Sequence, residues 1–290
     1  GLITLSVMAA MVMQVLDTTI ANVALPHMQA SLGAAQDTIT WVLTSYIVAA
    51  AIATPITGWL SDNIGRKRLF MICVVGFVGA SALCGLAFNL GQMVFFRLLQ
   101  GAFGAALAPL SQSVIIDINP RERQGQAMAI WGAGIMVAPI IGPTLGAWLT
   151  DHMSWRWCFY INVPIGALAV VLIWMNLPYS RKGGDVRSID FLGAALLSIA
   201  TICVLLGLVW ANEEFGWVSP ITVGLFVSGI VFTTLFVFQE RRHPQAIFPL
   251  NLFKNPIIAI AVASMMLVTM GMFGTILFVP LFIQGVIGAS

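Results

Sequence analysis

An aspartate stands inside a run of residues that is otherwise apolar enough to cross a membrane. Asp17 lies in the stretch QVLDTTIANVALP, and Gln14, Thr18 and Asn22 recur around it at four-residue spacing. A helix places such residues on one face, which we expect to line a cavity. An ionised aspartate at mid-span costs about 2.5–3.5 kcal/mol, so it usually has a partner, a water-filled cavity or a role in proton transfer. A purely structural, hydrogen-bonded acid is the alternative.

Arg97 is the partner that the sequence offers to Asp17. Asp17 lies nine residues in from Pro26, and Arg97 lies seven residues in from Leu90. These separations place the two charges at similar depths, roughly 13 and 10 Å along their helices. A stripe of small and polar residues continues from Arg97 and is predicted to face the same cavity: Gly101, Gly104, Ala108, Ser111 and Gln112. The alternative is an arginine that extends to the nearby lipid headgroups.

Small residues and prolines follow a regular pattern in the stretch WGAGIMVAPIIGPTLGAW. Four small residues recur every four positions and predict a face that another helix can approach closely: Gly134, Ala138, Gly142 and Gly146. Pro139 and Pro143 adjoin that face and are expected to bend the helix.

The composition requires a membrane protein. Of the 290 residues, 59% are hydrophobic and 8% are charged, against about 25% charged residues in soluble domains. Apolar runs of about 20 residues, each sufficient to span a bilayer as a helix, predict an all-α fold and exclude a β-barrel. We predict nine spans, at about 2–25, 39–60, 69–88, 91–117, 125–149, 160–178, 190–211, 220–239 and 256–284.

The basic residues indicate the orientation. Eleven of the 13 fall in alternate loops: Arg66, Lys67, Arg68, Arg121, Arg123, Arg181, Lys182, Arg187, Arg241, Arg242 and Lys254. Since basic residues favour cytoplasmic loops, the amino end is predicted to be cytoplasmic. Arg156 is the exception in an opposite loop. The net charge of +2 therefore reflects topology, and no nucleic-acid partner is expected. No motif of a common enzyme class occurs, so we expect no catalytic activity.

Loop composition divides the chain into three parts. Residues 1–178 form a predicted six-helix bundle, and residues 179–240 form a two-helix insert that begins with a cytoplasmic loop. Residues 241–290 hold a connector with Pro244, Pro249 and Pro256, followed by the first helix of a second bundle. Because the first run lacks an initiator methionine and one span follows the connector, we expect a fragment with a truncated second bundle.

Four motifs, in order along the chain, resemble the major facilitator superfamily. Gly58, Asp62, Gly65 and Arg66 resemble its signature loop, and Arg97, Gln100 and Gly101 resemble its fourth-helix motif. The pattern of Ala138-Pro139, Gly142-Pro143 and Gly146 resembles the motif of its antiporters. The stretches LDTTIANVALP, FFRLLQG, PLSQS and FYINVPIG are similar to the drug:proton antiporters with fourteen helices, of the EmrB and QacA type. Phe103 departs from the fourth-helix motif, which often has glycine there, and Ala147 replaces a frequent final glycine in the fifth.

The resemblance implies proton-coupled efflux of lipophilic, often cationic drugs across the inner membrane of a bacterium. Asp17 would then accept the proton and Arg97 would hold its charge state, in a cavity lined also by Gln100. The signature loop would control gating, with Arg66 contacting Asp117 and Asp62 capping a helix of the second bundle. No cofactor is implied beyond the proton gradient. A periplasmic adaptor protein and an outer-membrane channel are potential partners.

Two other functions fit the same residues. An exporter of a specific metabolite or siderophore could use the same fold, because fold does not determine substrate. A membrane sensor without transport activity would use Asp17 and Arg97 only as a structural pair.

Overall fold

The computed structural model describes residues 2–36, 38–177, 190–213, 215–242 and 250–282, and these ranges contain helices and no strand. The all-α prediction is therefore confirmed. A 3-10 helix at Leu250–Lys254 precedes the last α-helix. The α-helices are α1 (Leu2–Leu32), α2 (Trp41–Ala53), α3 (Ile56–Ile64), α4 (Arg66–Gly85), α5 (Leu90–Gly104), α6 (Leu107–Ile118), α7 (Arg121–His152), α8 (Trp157–Tyr160), α9 (Asn162–Asn176), α10 (Phe191–Glu213), α11 (Pro220–Arg242) and α12 (Pro256–Phe282).

The described helices account for the predicted spans. Among the described residues, seven segments are long and apolar enough to cross a membrane. Two of these segments each combine a pair of consecutive helices, α5 with α6 and α8 with α9. The bent pair of α2 and α3 makes an eighth if it is counted as one span. The ninth prediction falls on α12, whose residues from Pro256 to Gly271 form an apolar helix.

Prolines cause the main differences from the predicted boundaries. We predicted that the first span ends near Pro26, but α1 continues to Leu32. The extension buries Met28 and packs Leu32 against the same apolar cluster, so tertiary packing overrides the proline signal. The second predicted span, at about 39–60, contains a break. The chain bends by 58° between α2 and α3, at Thr54 and Pro55, because proline lacks the N–H group that would continue the helix.

Helix α1 packs mainly against α7 and α9, and α5 packs against both α2 and α4. Two apolar clusters form the core. One contains Met13, Tyr46 and Phe77, and the other contains Leu16 and Val42 among its members. Since Met13 and Leu16 belong to different clusters, the stretch of α1 around Asp17 lies where the two clusters meet.

Helices α10 and α11, which we predicted to form an insert, contact the preceding helices through aromatic residues. Helices α10 and α11 pair with each other, and α10 contacts α2. The rings of Trp41 and Trp210 meet edge to face at 6.4 Å between centroids. The predicted boundary near residue 178 and the basic residues Arg181, Lys182 and Arg187 lie outside the described residues, as do Pro244 and Pro249.

Arg156, the basic residue that departs from the loop pattern, has a structural contact that accounts for its position. Its guanidinium donates to the backbone oxygens of Gly85 and Ala87, at the end of α4. It also lies over the ring of Trp155, at 4.6 Å from the centroid. A cation at the C-terminal end of a helix satisfies free carbonyl groups and complements the helix dipole.

Candidate functional site

The carboxylate of Asp17 accepts three hydrogen bonds from two other helices. Its Oδ2 accepts from Nη1 of Arg97 at 2.7 Å. Its Oδ1 accepts from Nε2 of Gln100 at 2.8 Å and from Nδ2 of Asn162 at 2.7 Å. Arg97 and Gln100 belong to α5, and Asn162 begins α9. The ion pair that we predicted from depth alone is thus present, together with two amide donors.

Arg97 is held by α2 as well as by Asp17. Its Nε donates to the backbone oxygen of Val42 at 3.1 Å, and its Nη1 also donates to Oε1 of Gln100 at 2.8 Å. The guanidinium lies 4.5 Å from the centroid of the Tyr46 ring, a cation–π distance. These contacts orient the planar guanidinium toward Asp17. They also exclude the alternative in which Arg97 extends to the lipid headgroups.

The whole network is shielded from solvent. Asp17 and Arg97 are each 1% exposed, and Gln100 and Asn162 are fully buried. Removing two charges from water is costly, and it is offset only where hydrogen bonds accompany the ion pair. The three donors to Asp17 meet this condition, so the site can hold an ionised carboxyl within an apolar core. Carboxyls with such surroundings are frequent in proton transfer within membranes.

Three further residues of the network carry no signal strong enough to predict their role from sequence: Asn162, Ser81 and Tyr46. Nδ2 of Asn162 also donates to Oγ of Ser81 at 2.9 Å, and the Ser81 hydroxyl donates to the backbone oxygen of Phe159. The hydroxyl of Tyr46 accepts from Nε2 of Gln14 at 3.3 Å. A lone amide at the start of an apolar run, as in FYINVPIG, was the available signal for Asn162.

The residues of the predicted polar face on α1 do not all turn into the bundle. Asp17 turns into the bundle, whereas Asn22 is exposed and Thr18 donates to the backbone oxygen of Val15 in its own helix. Five residues of helix rotate a side chain by about 140°, so Asp17 and Asn22 do not share a face. Gln100 and Gly101 are buried in helix contacts rather than lining an open cavity, and Gln14 and Gln112 are half-buried.

The signature loop joins α3 to α4 at a residue that must be glycine-like. Gly65 has φ of 90° and ψ of 140°, a backbone conformation that side chains with a Cβ disfavour. The next residue, Arg66, forms an ion pair with Asp117 near the end of α6, which is the contact we predicted. Gly58 and Asp62 are both exposed.

The small-residue face of α7 packs against α1. Ala138, Gly142 and Gly146 are buried. A Cβ on Gly142 would lie 2.1 Å from Oγ1 of Thr19, and one on Gly134 would lie 2.0 Å from Cε of Met8. The predicted close approach of a second helix is therefore present. Pro139 is half-buried and Pro143 is exposed, and α7 remains one helix through both prolines.

Similar proteins include two bacterial relatives whose names refer to resistance or export. The chain is 40% identical over 286 residues to the multidrug export protein EmrB of Haemophilus influenzae, covering 98% of this chain and 56% of that protein. It is 38% identical over 290 residues to the fatty acid resistance protein FarB of Neisseria gonorrhoeae, covering 99% of this chain and 56% of that protein. The chain thus spans about half the length of the curated relatives it matches.

The fold and a family model agree with these similarities. The human organic anion transporter MFSD10 (TETRAN) superposes with a TM-score of 0.56 at 20% identity, over 86% of this chain and 67% of that one. The model of the Major Facilitator Superfamily matches residues 7–290. A match over nearly the whole length, with relatives above 30% identity, establishes that the chain belongs to the Major Facilitator Superfamily.

Proposed function

We propose that this chain serves proton-coupled efflux of lipophilic, often cationic drugs by alternating access. The observation that carries the proposal is the buried network of Asp17 and Arg97, because it places one titratable carboxyl among several packed helices. The similarity to proteins named for multidrug export supports the same substrate class. Small molecules and the bilayer are then its principal partners.

Asp17 couples protonation to helix packing in this proposal. Its carboxylate joins α1 to α5 and α9, and Arg97 extends the network to α2. Protonation of Asp17 would leave the Arg97 guanidinium without its counter-ion inside an apolar core, which is energetically costly. A rearrangement of the helices would relieve this cost, and the pair forms again only when Asp17 releases its proton. The charge state of Asp17 would thereby be linked to the conformation that releases or admits a drug.

The driving force is adequate for such an exchange. One proton crossing a potential of 100 mV yields about 2.3 kcal/mol, which corresponds to roughly 50-fold accumulation at about 1.4 kcal/mol per factor of ten. If a monovalent cation leaves for each proton, the potential cancels and the pH gradient alone drives export.

The direct test measures ethidium efflux from cells that express the full gene product containing this chain. We expect Asp17→Asn to abolish efflux driven by an imposed pH gradient while expression and ethidium binding persist. Asp151→Asn is the matched control, because Asp151 is an exposed carboxyl near the end of α7. Undiminished efflux by Asp17→Asn would contradict the assignment of Asp17. Equal loss in both variants would indicate a nonspecific effect of charge.

An exporter of a more specific amphipathic compound is the second candidate. The similarity to a protein named for fatty acid resistance favours it. An open cavity of about 460 Å³ between α1 and α7 also combines apolar walls with a cation, through Leu5, Met8, Ile130 and Arg123. Competition assays decide between the two candidates. Inhibition of ethidium efflux by a long-chain fatty acid, but by no other cationic drug, would favour the specific exporter.

Location and further partners complete the proposal. We place the chain in the cytoplasmic membrane of a bacterium with its amino end in the cytoplasm, on the basis of its basic loops. A periplasmic adaptor protein and an outer-membrane channel are proposed partners by resemblance to EmrB-type systems. Cysteine accessibility on either side of the membrane tests the orientation.

A further inference from the structure

The nitrogen and the oxygen of the Asn162 amide differ in their hydrogen bonding. Its Nδ2 donates both to Asp17, at 2.7 Å, and to Ser81, at 2.9 Å. Its Oδ1 is buried, and no residue in the described part of the chain donates a hydrogen bond to it. A buried acceptor without a donor is costly, so its presence beside a titratable carboxyl calls for a physical explanation.

Rotation of the amide by about 180° exchanges its donor and acceptor without moving any other atom far. Oδ1 would then occupy the place of Nδ2, within hydrogen-bond distance of Oδ1 of Asp17. It could accept a bond from a protonated Asp17, which the present orientation cannot do. Ser81 can serve both arrangements, because its oxygen accepts from Nδ2 in the present one and its hydroxyl can turn from the backbone oxygen of Phe159 to Oδ1 in the other.

We infer that Asn162 is a positioning residue for Asp17, and that its amide serves both charge states of the carboxyl, as donor to the carboxylate and as acceptor for the acid. Ser81 anchors the amide in both orientations. The inference rests on the proposed function, since it takes Asp17 to be the group that exchanges the proton. The proton enters on Asp17, and Asn162 only changes orientation.

Other groups around Asp17 are less suited to this role. Arg97 is a donor only and cannot accept from a protonated carboxyl. Gln100 donates to Asp17 while its Oε1 accepts from Arg97, so its amide is fixed in one orientation. The remaining titratable groups that face Asp17 are Tyr46 on α2, Cys84 on α4 and Cys158 on α8.

Infrared difference spectroscopy of the purified full gene product tests the inference without requiring transport. The signal is the C=O band of the protonated Asp17 carboxyl, identified by its loss in Asp17→Asn. In Asn162→Leu, which keeps the number and branching of the side-chain heavy atoms, we expect the band to move to a higher wavenumber, because the O–H of the protonated carboxyl has lost its acceptor.

Two further variants make the outcome decisive. Asn176→Leu is the control, because Asn176 lies on the same helix and donates only locally, to Leu172. Ser81→Ala keeps the amide but removes its anchor, and we expect a smaller change in the same direction. An unchanged wavenumber in folded Asn162→Leu would overturn the inference, as would an equal change in Asn176→Leu. If Asn162→Leu does not fold, an unchanged band in Ser81→Ala overturns it.

Failure of the inference differs from failure of the proposed function. If Asp17 titrates and supports efflux but Asn162→Leu leaves its band unchanged, only the role of Asn162 is wrong. If Asp17→Asn exports ethidium normally, the proposed function itself is wrong. If no Asp17 band appears at any pH in the wild type, the two-state role of Asn162 has no basis.

Discussion

The ring of Phe103 lies against Gly76 of α4, where a Cβ would come within 2.4 Å of the ring atoms. Because Gly76 has no side chain, α4 leaves room for the ring of Phe103. The family motif often has glycine at position 103. We expect Gly76→Ala to lower the thermal midpoint of the purified protein, because overpacking costs about 1–3 kcal/mol. In a Phe103→Ala background the same substitution should cost little, since the clash is gone.

A double-mutant cycle measures this coupling from four thermal midpoints. The two single variants and the double variant must all retain the helical signal of the wild type. If Gly76→Ala lowers the thermal midpoint equally with and without the Phe103 ring, the two residues are not coupled. The contact with Gly76 then does not explain why phenylalanine is tolerated at position 103.

Residue chemistry made part of the candidate site predictable. Asp17 and Arg97 are charges in apolar runs at similar depth, and electrostatics leaves such residues few other partners. Asn162 and Ser81 could not be identified in the same way. Each is an uncharged polar residue, and its role depends on which helices are neighbours, a property that spacing within one helix does not contain. Asn22 is exposed although Asp17 is buried, because a stripe with four-residue spacing drifts around α1.

At the scale of elements, α2 and α5 are in backbone contact through Gly101. A Cβ at this position would lie 2.3 Å from the backbone oxygen of Tyr46. A backbone atom cannot avoid this clash by a side-chain rotation, so the helix itself would have to move. We expect Gly101→Ala to separate the helices, to weaken the bond from Arg97 to Val42, and to lower both thermal stability and efflux. Gly79→Ala is the control, because within the described part of the chain its Cβ would meet no atom within 4 Å apart from the backbone of its own helix.

The expected contrast follows from opposing contributions. Alanine favours a helix over glycine by roughly 0.5–1 kcal/mol, so Gly79→Ala should be neutral or slightly stabilising. At Gly101 the steric cost exceeds that gain. Thermal midpoints of the two variants, compared with efflux rates, measure the difference. Equal midpoints would show that α2 can shift without cost and would contradict this account of the contact.

Helix boundaries were less predictable than helix existence, and the prolines explain why. Pro26, Pro55 and Pro139 carry the same local signal, the loss of one backbone donor. Helix α1 continues past Pro26 because Met28 and Leu32 pack into the core. The chain bends by 58° at Pro55, and α7 continues through Pro139 along its contact with α1. Tertiary packing, which one sequence does not reveal, decides among these outcomes.

At the scale of the whole molecule, the pair of Arg66 and Asp117 connects two turns that are far apart in sequence, the start of α4 and the end of α6. Their side chains are 31% and 57% exposed, and exposed ion pairs contribute only about 0.2–1 kcal/mol to stability. The pair is therefore too weak to determine folding, but it is strong enough to bias two conformations of similar energy. A role in gating fits this magnitude.

Charge reversal separates gating from stability. We expect Arg66→Asp to reduce ethidium efflux while leaving the thermal midpoint nearly unchanged, because it replaces attraction to Asp117 by repulsion at an exposed site. The double variant Arg66→Asp with Asp117→Arg should recover part of the efflux, since it restores the attraction. Arg68→Asp is the matched control, as it changes the charge of the same loop at another exposed position. Equal loss of efflux in Arg68→Asp, or no recovery in the double variant, would assign the effect to the overall charge of the loop and not to this pair.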